Sequence, residues 1–163
     1  MVSATQIHPF PPLMDDKSQI LILGSFPSPK SRENGFYYGH PQNRFWRILS
    51  ALWEETLPVT NSEKAAFALR HRIALWDVLA SCEISGASDT SIRNPVPNDI
   101  PGLLAGSRIH IVCTTGTKAS ALCRRFFPDL PQIRLPSTSP ANAAWSFDAL
   151  VGEYRKILNY LEE

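Results

Sequence analysis

The sequence has 163 residues, a length expected of one domain, and its 44% hydrophobic residues are enough for a substantial core. No apolar run approaches the roughly 18 residues of a membrane span, and no secretory signal is visible, so we expect a cytoplasmic protein. The three widely spaced cysteines make neither a zinc pattern nor a disulfide framework, and a net charge of +1 does not by itself indicate a nucleic-acid-binding protein.

The first half of the chain predicts a strand followed by two helices. Residues 1–18 are rich in proline, which resists helix formation, and are predicted to be an extended lead-in. Residues 20–23 are apolar at every position, as in a central strand that is covered on both faces. After a long loop, residues 43–57 carry apolar side chains at helical spacing, and Ser62 is the expected N-cap of a helix at 63–71.

The second half continues the alternation of strands and helices. Residues 73–79 are apolar enough for a strand or a buried turn of helix, and periodicity does not decide between them. Residues 85–101 are rich in Ser, Asn, Pro and Gly and are predicted to be a second long loop. The remaining predicted elements are strands at 109–113 and 132–135, helices at 116–127 and 143–161, and a third loop at 136–142.

Strands that alternate with helices predict a single α/β domain, residues 1–163, with a mainly parallel sheet. Three loops (24–43, 81–99 and 136–142) are expected at one edge of that sheet, where open α/β sheets place their sites. The stretch from Lys30 to Arg47, which runs from the first loop into the following helix, carries four basic side chains and one acidic side chain, Glu33. This makes a modest basic patch.

General catalytic signatures are absent from the sequence. There is no GxxxxGK[ST] phosphate loop, no GxSxG elbow and no HExxH pair. The turn at Gly116-Thr117-Lys118 could hold an anion, although such a turn is more often only a helix start. Asn43 precedes a predicted helix and would serve as its N-cap whether or not it had another role.

Four segments together carry a specific resemblance to a known family. They contain Gly24-Ser25-Phe26-Pro27 with Tyr37-Tyr38-Gly39-His40-Pro41, Asn43 and Phe45-Trp46; Ala74-Leu75-Trp76-Asp77-Val78-Leu79 with Cys82 and Asp89; Thr115-Gly116-Thr117-Lys118-Ala119; and Leu135-Pro136-Ser137-Thr138-Ser139-Pro140-Ala141-Asn142. In order and spacing they resemble the uracil-DNA glycosylase superfamily, closest to the hypoxanthine-DNA glycosylases and next to the mismatch-specific uracil/thymine glycosylases.

The resemblance implies a three-layer α/β/α domain with a four-stranded parallel sheet. It also implies hydrolysis of the N-glycosidic bond of a deaminated base in double-stranded DNA, most of all hypoxanthine in deoxyinosine, without a metal or cofactor. We therefore expect a monomer that acts in base excision repair, in the cytoplasm near the nucleoid. Two alternatives stay open, a uracil or mismatch glycosylase and a non-catalytic module that binds damaged DNA.

The resemblance also assigns roles to the first loop. Asn43 is the expected catalytic residue, which orients a water and contacts the base, and Tyr38 is expected to stack on the flipped base unless it is a core tyrosine. Phe26 stands where the mismatch-specific enzymes carry a catalytic asparagine, and this difference favours the hypoxanthine type. The expected base pocket comprises Gly24, Ser25, Phe26, Tyr38, Gly39, His40 and Asn43, with Gly39 leaving room for a purine.

DNA contacts are expected from two regions, the first loop with the start of the helix after it, and the third loop. The residues assigned to them are Ser28, Lys30, Arg44, Ser137, Thr138, Ser139, Pro140 and Asn142. In relatives the last loop inserts a wedge beside the flipped base, and here that role rests on Asn142. Asp77 is expected to anchor a loop by accepting backbone N–H bonds, and Asp89 is a carboxylate that could approach the site.

Overall fold

The computed structural model describes residues 5–85 and 88–162. The first four residues of the expected lead-in, residues 86–87 of the second loop and the last residue lie outside the described residues. The strands are β1 (Thr5–Ile7), β2 (Ile20–Gly24), β3 (Ile73–Asp77), β4 (Leu79–Glu83), β5 (Arg93–Pro97), β6 (Ile111–Thr115) and β7 (Gln132–Leu135). The helices are α1 (Pro29–Asn34), α2 (Phe45–Trp53), α3 (Asn61–Arg70), α4 (Ile100–Leu104), α5 (Thr117–Phe126) and α6 (Phe147–Tyr154). In these ranges no helix is both long and apolar enough to cross a membrane.

The main sheet is parallel throughout, in the order β3-β2-β6-β7. Strand β2 is buried at all five positions, as its unbroken apolar sequence predicts for a strand with a layer on each side. The chain continues from β2 to β3 on one side of it and later adds β6 on its other side. The carboxyl end of β2 therefore lies at a topological switch point, where ligand crevices form.

Alternate residues of β2 point to two separate cores. Ile20 and Ile22 pack with α2, α3 and α6, whereas Leu21 and Leu23 pack with α4 and α5. This arrangement confirms the three-layer α/β/α architecture with its four-stranded sheet.

A second, antiparallel sheet was not predicted. Strand β4 lies between β1 and β5, so part of the extended lead-in is paired in this sheet. Residues 85–101, expected to be a loop, contain β5 and α4. The apolar run at 73–79 divides into β3 and β4 at Val78, whose N–H donates to the Gly24 carbonyl. Strand β5 was hidden by Pro95 and Pro97, because prolines are confined to edge strands such as this one.

Several helix ends also differ from the predicted ones. Helix α2 stops at Trp53, because Glu54 turns into the left-handed region at φ 51°. Helix α3 is capped by Thr60 rather than Ser62, through a capping box with Glu63. The last predicted helix is shorter at both ends, since it starts after the Ser146 cap and continues beyond α6 as a 3₁₀ helix, Arg155–Tyr160.

Candidate active site

A cavity of about 110 Å³ lies at the carboxyl edge of the main sheet. All four strands of that sheet contribute to its walls, because a lining residue lies at the end of each strand or within two residues after it. The lining consists of Gly24, Ser25, Phe26, Pro27, Ser28, Ser31, Tyr37, Tyr38, Asn43, Asp77, Ile84, Asp89, Thr115, Ser137, Thr138 and Ser139. All three predicted loops therefore meet here, as expected.

The Asn43 side chain is held in a fixed orientation at this cavity. Its Oδ1 accepts one hydrogen bond from the Thr138 hydroxyl over 2.8 Å and another from the Phe45 backbone N–H over 2.9 Å. Those two bonds occupy both lone pairs of the amide oxygen. The amino group, Nδ2, is then the part of the side chain that remains available to a ligand.

The two expected roles of Asn43 are compatible. Arg44 occupies the N-cap position of α2, yet it is the side-chain oxygen of Asn43, Oδ1, that accepts the hydrogen bond of the first helical N–H, that of Phe45. The same hydrogen bond leaves Nδ2 as a donor beside the cavity. The amide thus has little spare capacity to accept a hydrogen bond from a water, and it suits a contact to an acceptor on a base.

Tyr38 is packed on one face of its ring. Its ring stacks on Phe45 with centroids 3.9 Å apart and planes 15° apart, and its hydroxyl lies 3.4 Å from Thr115 Oγ1. Burial, and then the nearby Asp77 charge, raise the pKa of the phenol, so the ring stays neutral. Tyr38 also lines the cavity, whereas Tyr37 is buried, with its hydroxyl donating to the Pro11 carbonyl.

The start of the first loop forms one wall of the cavity. A Cβ on Gly24 would lie 2.5 Å from Asp77 Oδ1, so a side chain cannot be placed there without moving that carboxylate. Phe26 lines the wall beside it and meets the His8 ring edge-to-face at 5.9 Å. The expectation that Phe26 helps to wall the pocket agrees with this geometry.

Asp77 has a different partner from the one expected. Its Oδ2 lies 2.7 Å from His8 Nε2, and the two side chains are 6% and 4% exposed. It therefore does not anchor a loop through backbone N–H groups. His8 comes from the lead-in segment, where nothing in the sequence pattern indicated a site residue.

Asp89 reaches the cavity from the loop after β4. Its Oδ1 accepts a hydrogen bond from the Ser25 hydroxyl over 2.8 Å, and the side chain also reaches solvent. Loss of hydration raises the pKa of the carboxyl, while the Ser25 bond and the Lys118 charge act in the opposite direction.

Two residues expected in the pocket do not line the cavity. Gly39 packs against α1, its N–H donating to Ser31 Oγ and its carbonyl accepting from Asn34 Nδ2. A Cβ there would meet the Phe36 carbonyl at 3.1 Å, so Gly39 allows a close turn rather than a larger base. His40 accepts the Asn43 N–H on its carbonyl and therefore shapes the turn.

Arg44 was expected to contact DNA, and the structure gives it another role. Its guanidinium donates to the backbone carbonyls of Ser139, Asn142 and Trp145, at 2.6 to 3.2 Å. Those bonds hold the third loop against the start of α2. The side chain is therefore committed to the protein rather than turned towards a phosphate.

A larger groove of about 810 Å³ adjoins the cavity, since Asp89 and Ser137 line both. Lys118 and Arg134 lie in this groove and were not among the expected DNA contacts. The third loop forms one side of it, and the tip of this loop is exposed at Pro140 and Ala141.

The remaining predicted contacts lie on α1 and the third loop. Ser28 lines the cavity and caps α1, and exposed Lys30 lies 3.4 Å from Glu33 on the same helix. Asn142 donates from Nδ2 to the Ser137 carbonyl, which uses the amide that was expected to act as a wedge. Among residues 5–85 and 88–162, no three His, Cys, Asp or Glu side chains are grouped to hold a metal ion.

Comparison with known proteins gives consistent relatives. The family model described as the uracil DNA glycosylase superfamily matches residues 11–162. A hypoxanthine DNA glycosylase of Methanosarcina acetivorans is 36% identical over 144 residues, covering 84% of this chain and 89% of the relative. A second, from Methanosarcina barkeri, is 43% identical over 86 residues, covering 52% and 54%.

A solved structure also resembles the whole chain. It is the NMR structure of a candidate uracil DNA glycosylase from Methanosarcina acetivorans, which superposes with a TM-score of 0.75 at 30% identity and covers 97% of this chain and 99% of its own. Since the family model spans nearly all of the sequence, this chain belongs to the uracil DNA glycosylase superfamily.

Proposed function

We propose that this protein is a DNA glycosylase that releases hypoxanthine from deoxyinosine in double-stranded DNA and leaves an abasic site. The observation that carries the proposal is the meeting of Tyr38 and the oriented Asn43 amide in one cavity. Relatives named hypoxanthine DNA glycosylase, at 36% and 43% identity, support the choice of base.

The cavity would receive a base that has left the DNA stack. Tyr38 is backed by Phe45 on one face, so the base stacks on the other face. Asn43 Nδ2 then donates to an acceptor on the base. Negative charge accumulates on that base as the glycosidic bond breaks, and a preorganised donor stabilises the charge more in the transition state than in the ground state.

The attacking water needs a separate acceptor, because Asn43 Oδ1 already accepts two hydrogen bonds. Asp89 is the acceptor that we assign to it. The carboxylate lies at the junction of cavity and groove, and the bond from Ser25 uses only part of its capacity. A negative charge at this point would also stabilise the oxocarbenium-like sugar that forms during the reaction.

The groove beside the cavity is the proposed path of the DNA strand. Ser137 and Ser139 present small polar groups at the junction, and Lys118 and Arg134 supply positive charge along the groove. With a net charge of only +1, binding would be weak and sensitive to salt. We propose that the protein acts as a monomer, at the DNA of the nucleoid.

A uracil glycosylase is the second candidate. It is favoured by the likeness over 97% of the chain to the candidate uracil DNA glycosylase structure. Uracil and hypoxanthine also share a carbonyl next to a ring N–H, so the same donors and acceptors would bind either base.

The two candidates are separated by single-turnover excision from duplexes that differ in one base. The set contains deoxyinosine, deoxyuridine, a thymine opposite guanine, and deoxyadenosine, with abasic sites resolved after alkali. Faster excision at deoxyinosine than at deoxyuridine supports the hypoxanthine proposal, and the reverse order moves the protein to uracil. Tight binding to a deoxyinosine duplex without any abasic product would identify a non-catalytic module instead.

A further inference from the structure

Only one of the two oxygens of the Asp77 carboxylate makes a hydrogen bond to the residues that the structure describes. Oδ2 lies 2.7 Å from His8 Nε2, and the side chain is only 6% exposed. Oδ1 lies over the Gly24 backbone, and no hydrogen bond joins it to any residue that the structure describes. Both Asp77 and Gly24 line the cavity.

An oxygen in this position calls for a donor. Although the Asp77 side chain is only 6% exposed, Oδ1 itself is not buried. Since Asp77 lines the proposed base cavity, this acceptor is open to a donor on a bound base. The absence of a side chain at Gly24 keeps that oxygen accessible, because a Cβ would lie 2.5 Å from it.

His8 determines what this oxygen can do. The His8 ring is fixed on its other side as well, with Nδ1 2.9 Å from the Phe10 carbonyl and 3.2 Å from the Phe10 N–H. If Nε2 carries the proton, Asp77 is an anion; if the proton has moved to Asp77, it lies on Oδ2 between the pair. In either state Oδ1 accepts hydrogen bonds and donates none.

We propose that Asp77 Oδ1 reads the ring N–H that deamination creates, and that His8 is the positioning residue that keeps this oxygen an acceptor. Hypoxanthine carries N1–H where adenine has a lone pair, and uracil carries N3–H where cytosine has one. The pair would therefore bind the deaminated base and repel the undamaged one. This inference rests on the proposed function and names the chemical feature that defines its substrates.

The first test replaces one hydrogen of the substrate with a methyl group and leaves the protein unaltered. Single-turnover excision is compared between duplexes with deoxyinosine and with 1-methyldeoxyinosine, which lacks the N1–H. A site built around a substrate N–H rejects the analogue strongly, so we expect the methylated base to be removed on the order of 10³-fold more slowly or worse.

The second test pairs that comparison with Asp77→Ala. This variant should remove hypoxanthine roughly 10- to 100-fold more slowly, because it lacks a hydrogen bond to a charged group. The ratio of its excision rates on hypoxanthine and on the methylated base should shrink to about threefold or less. The Asp77 carboxylate, which would accept the N–H and clash with the methyl group, is absent from this variant. Asp148→Asn, an exposed acid in the first turn of α6, is the matched control and should behave as the wild type.

The role of His8 is tested by the ratio of adenine to hypoxanthine release. His8→Ala removes the contact that holds Asp77 Oδ2, so the carboxylate can turn away from the base and repel adenine less, and the ratio should rise by about tenfold. His8→Gln keeps a donor towards Oδ2 and should restore the wild-type ratio. A purely structural role for His8 would slow both bases equally.

The outcomes separate this inference from the proposed function. If the wild-type protein removes hypoxanthine and the methylated base at equal rates, Asp77 does not recognise the ring N–H. The glycosylase proposal would then still stand. Unchanged discrimination in a folded Asp77→Ala protein also overturns this inference. A wild-type protein that removes no deaminated base overturns the proposed function and this inference with it.

Discussion

The Thr138 hydroxyl donates to Asn43 Oδ1 over 2.8 Å and so joins two loops that are 95 residues apart in the chain. Thr138 is 2% exposed, and its backbone carbonyl accepts the Arg44 N–H at 3.1 Å. The first and third loops are thus fixed to each other at the cavity. The orientation of the Asn43 amide depends on this junction.

Replacing Asn43 with alanine should lower the single-turnover rate on deoxyinosine by on the order of 10²-fold or more, as expected for the loss of a preorganised donor. The fold should persist, because only the bonds to Thr138 and Phe45 are lost. Asn61→Ala is the matched control, since Asn61 lies on the exposed start of α3. An Asn43→Ala protein with the wild-type rate would remove Asn43 from the mechanism.

Thr138→Val keeps the shape of the side chain and removes the hydroxyl that orients Asn43. One neutral hydrogen bond contributes about 0.5–1.5 kcal/mol, so we expect excision to slow by roughly 2- to 12-fold. The comparison to make is Asn43→Ala with and without Thr138→Val. If Thr138 acts through Asn43, the second substitution adds little to the first, whereas full additivity would contradict that coupling.

Tyr38→Ala should slow excision by loss of stacking, which is worth roughly 1–3 kcal/mol per base, or about 5- to 150-fold. Tyr38→Phe keeps the ring and loses only the long 3.4 Å contact to Thr115, so it should stay close to the wild-type rate. The two variants are compared under single-turnover conditions. Equal losses in both would point to the hydroxyl and against stacking.

Arg44→Ala should destabilise the fold by about 2–4 kcal/mol, measured as the free energy of unfolding in urea, because three carbonyls lose a charged donor. Lys30→Ala should leave stability unchanged and reduce the salt dependence of DNA binding by about one phosphate contact. An Arg44→Ala protein that is as stable as the wild type, and whose DNA binding depends less on salt, would show that Arg44 contacts DNA instead.

The proposed role of Asp89 predicts that the excision rate falls at low pH. Loss of hydration at the cavity raises the pKa of its carboxyl, so the ionised form that accepts a bond from water is lost at a higher pH than for an ordinary aspartate. Excision should fall as the pH drops through that raised pKa. Asp89→Asn should be slower at neutral pH and should lack this transition, and a wild-type transition retained in the variant would rule Asp89 out as its source.

The sequence was sufficient for the main sheet and for the placement of the site at its edge. Strand β2 is apolar at every position and ends in Gly24, a pattern typical of a strand that is covered on both faces. Asn43 and Tyr38 were identified through the motifs around them. The small sheet was missed because β4 is only partly buried and β5 contains two prolines, so neither has a clear period.

Other parts of the site depend on contacts between distant segments. His8 meets Asp77 across 69 residues of sequence, and no local pattern indicates that pairing. Arg44 lies in a run of basic residues that resembles a DNA surface, yet it turns inward, because two carbonyls of the third loop and the Trp145 carbonyl just beyond it are within its reach. A side chain's partner is set by the tertiary fold, and composition alone does not reveal it.

The central claim is that the cavity between these loops releases a deaminated base, and it is tested most directly by detecting the free base. A deoxyinosine duplex is incubated with excess wild-type or Asn43→Ala protein, and released hypoxanthine is quantified by chromatography against time. The account predicts release of one hypoxanthine per duplex by the wild type and a rate lower by on the order of 10²-fold in the variant. No release by folded wild-type protein, or equal release by both proteins, would contradict it.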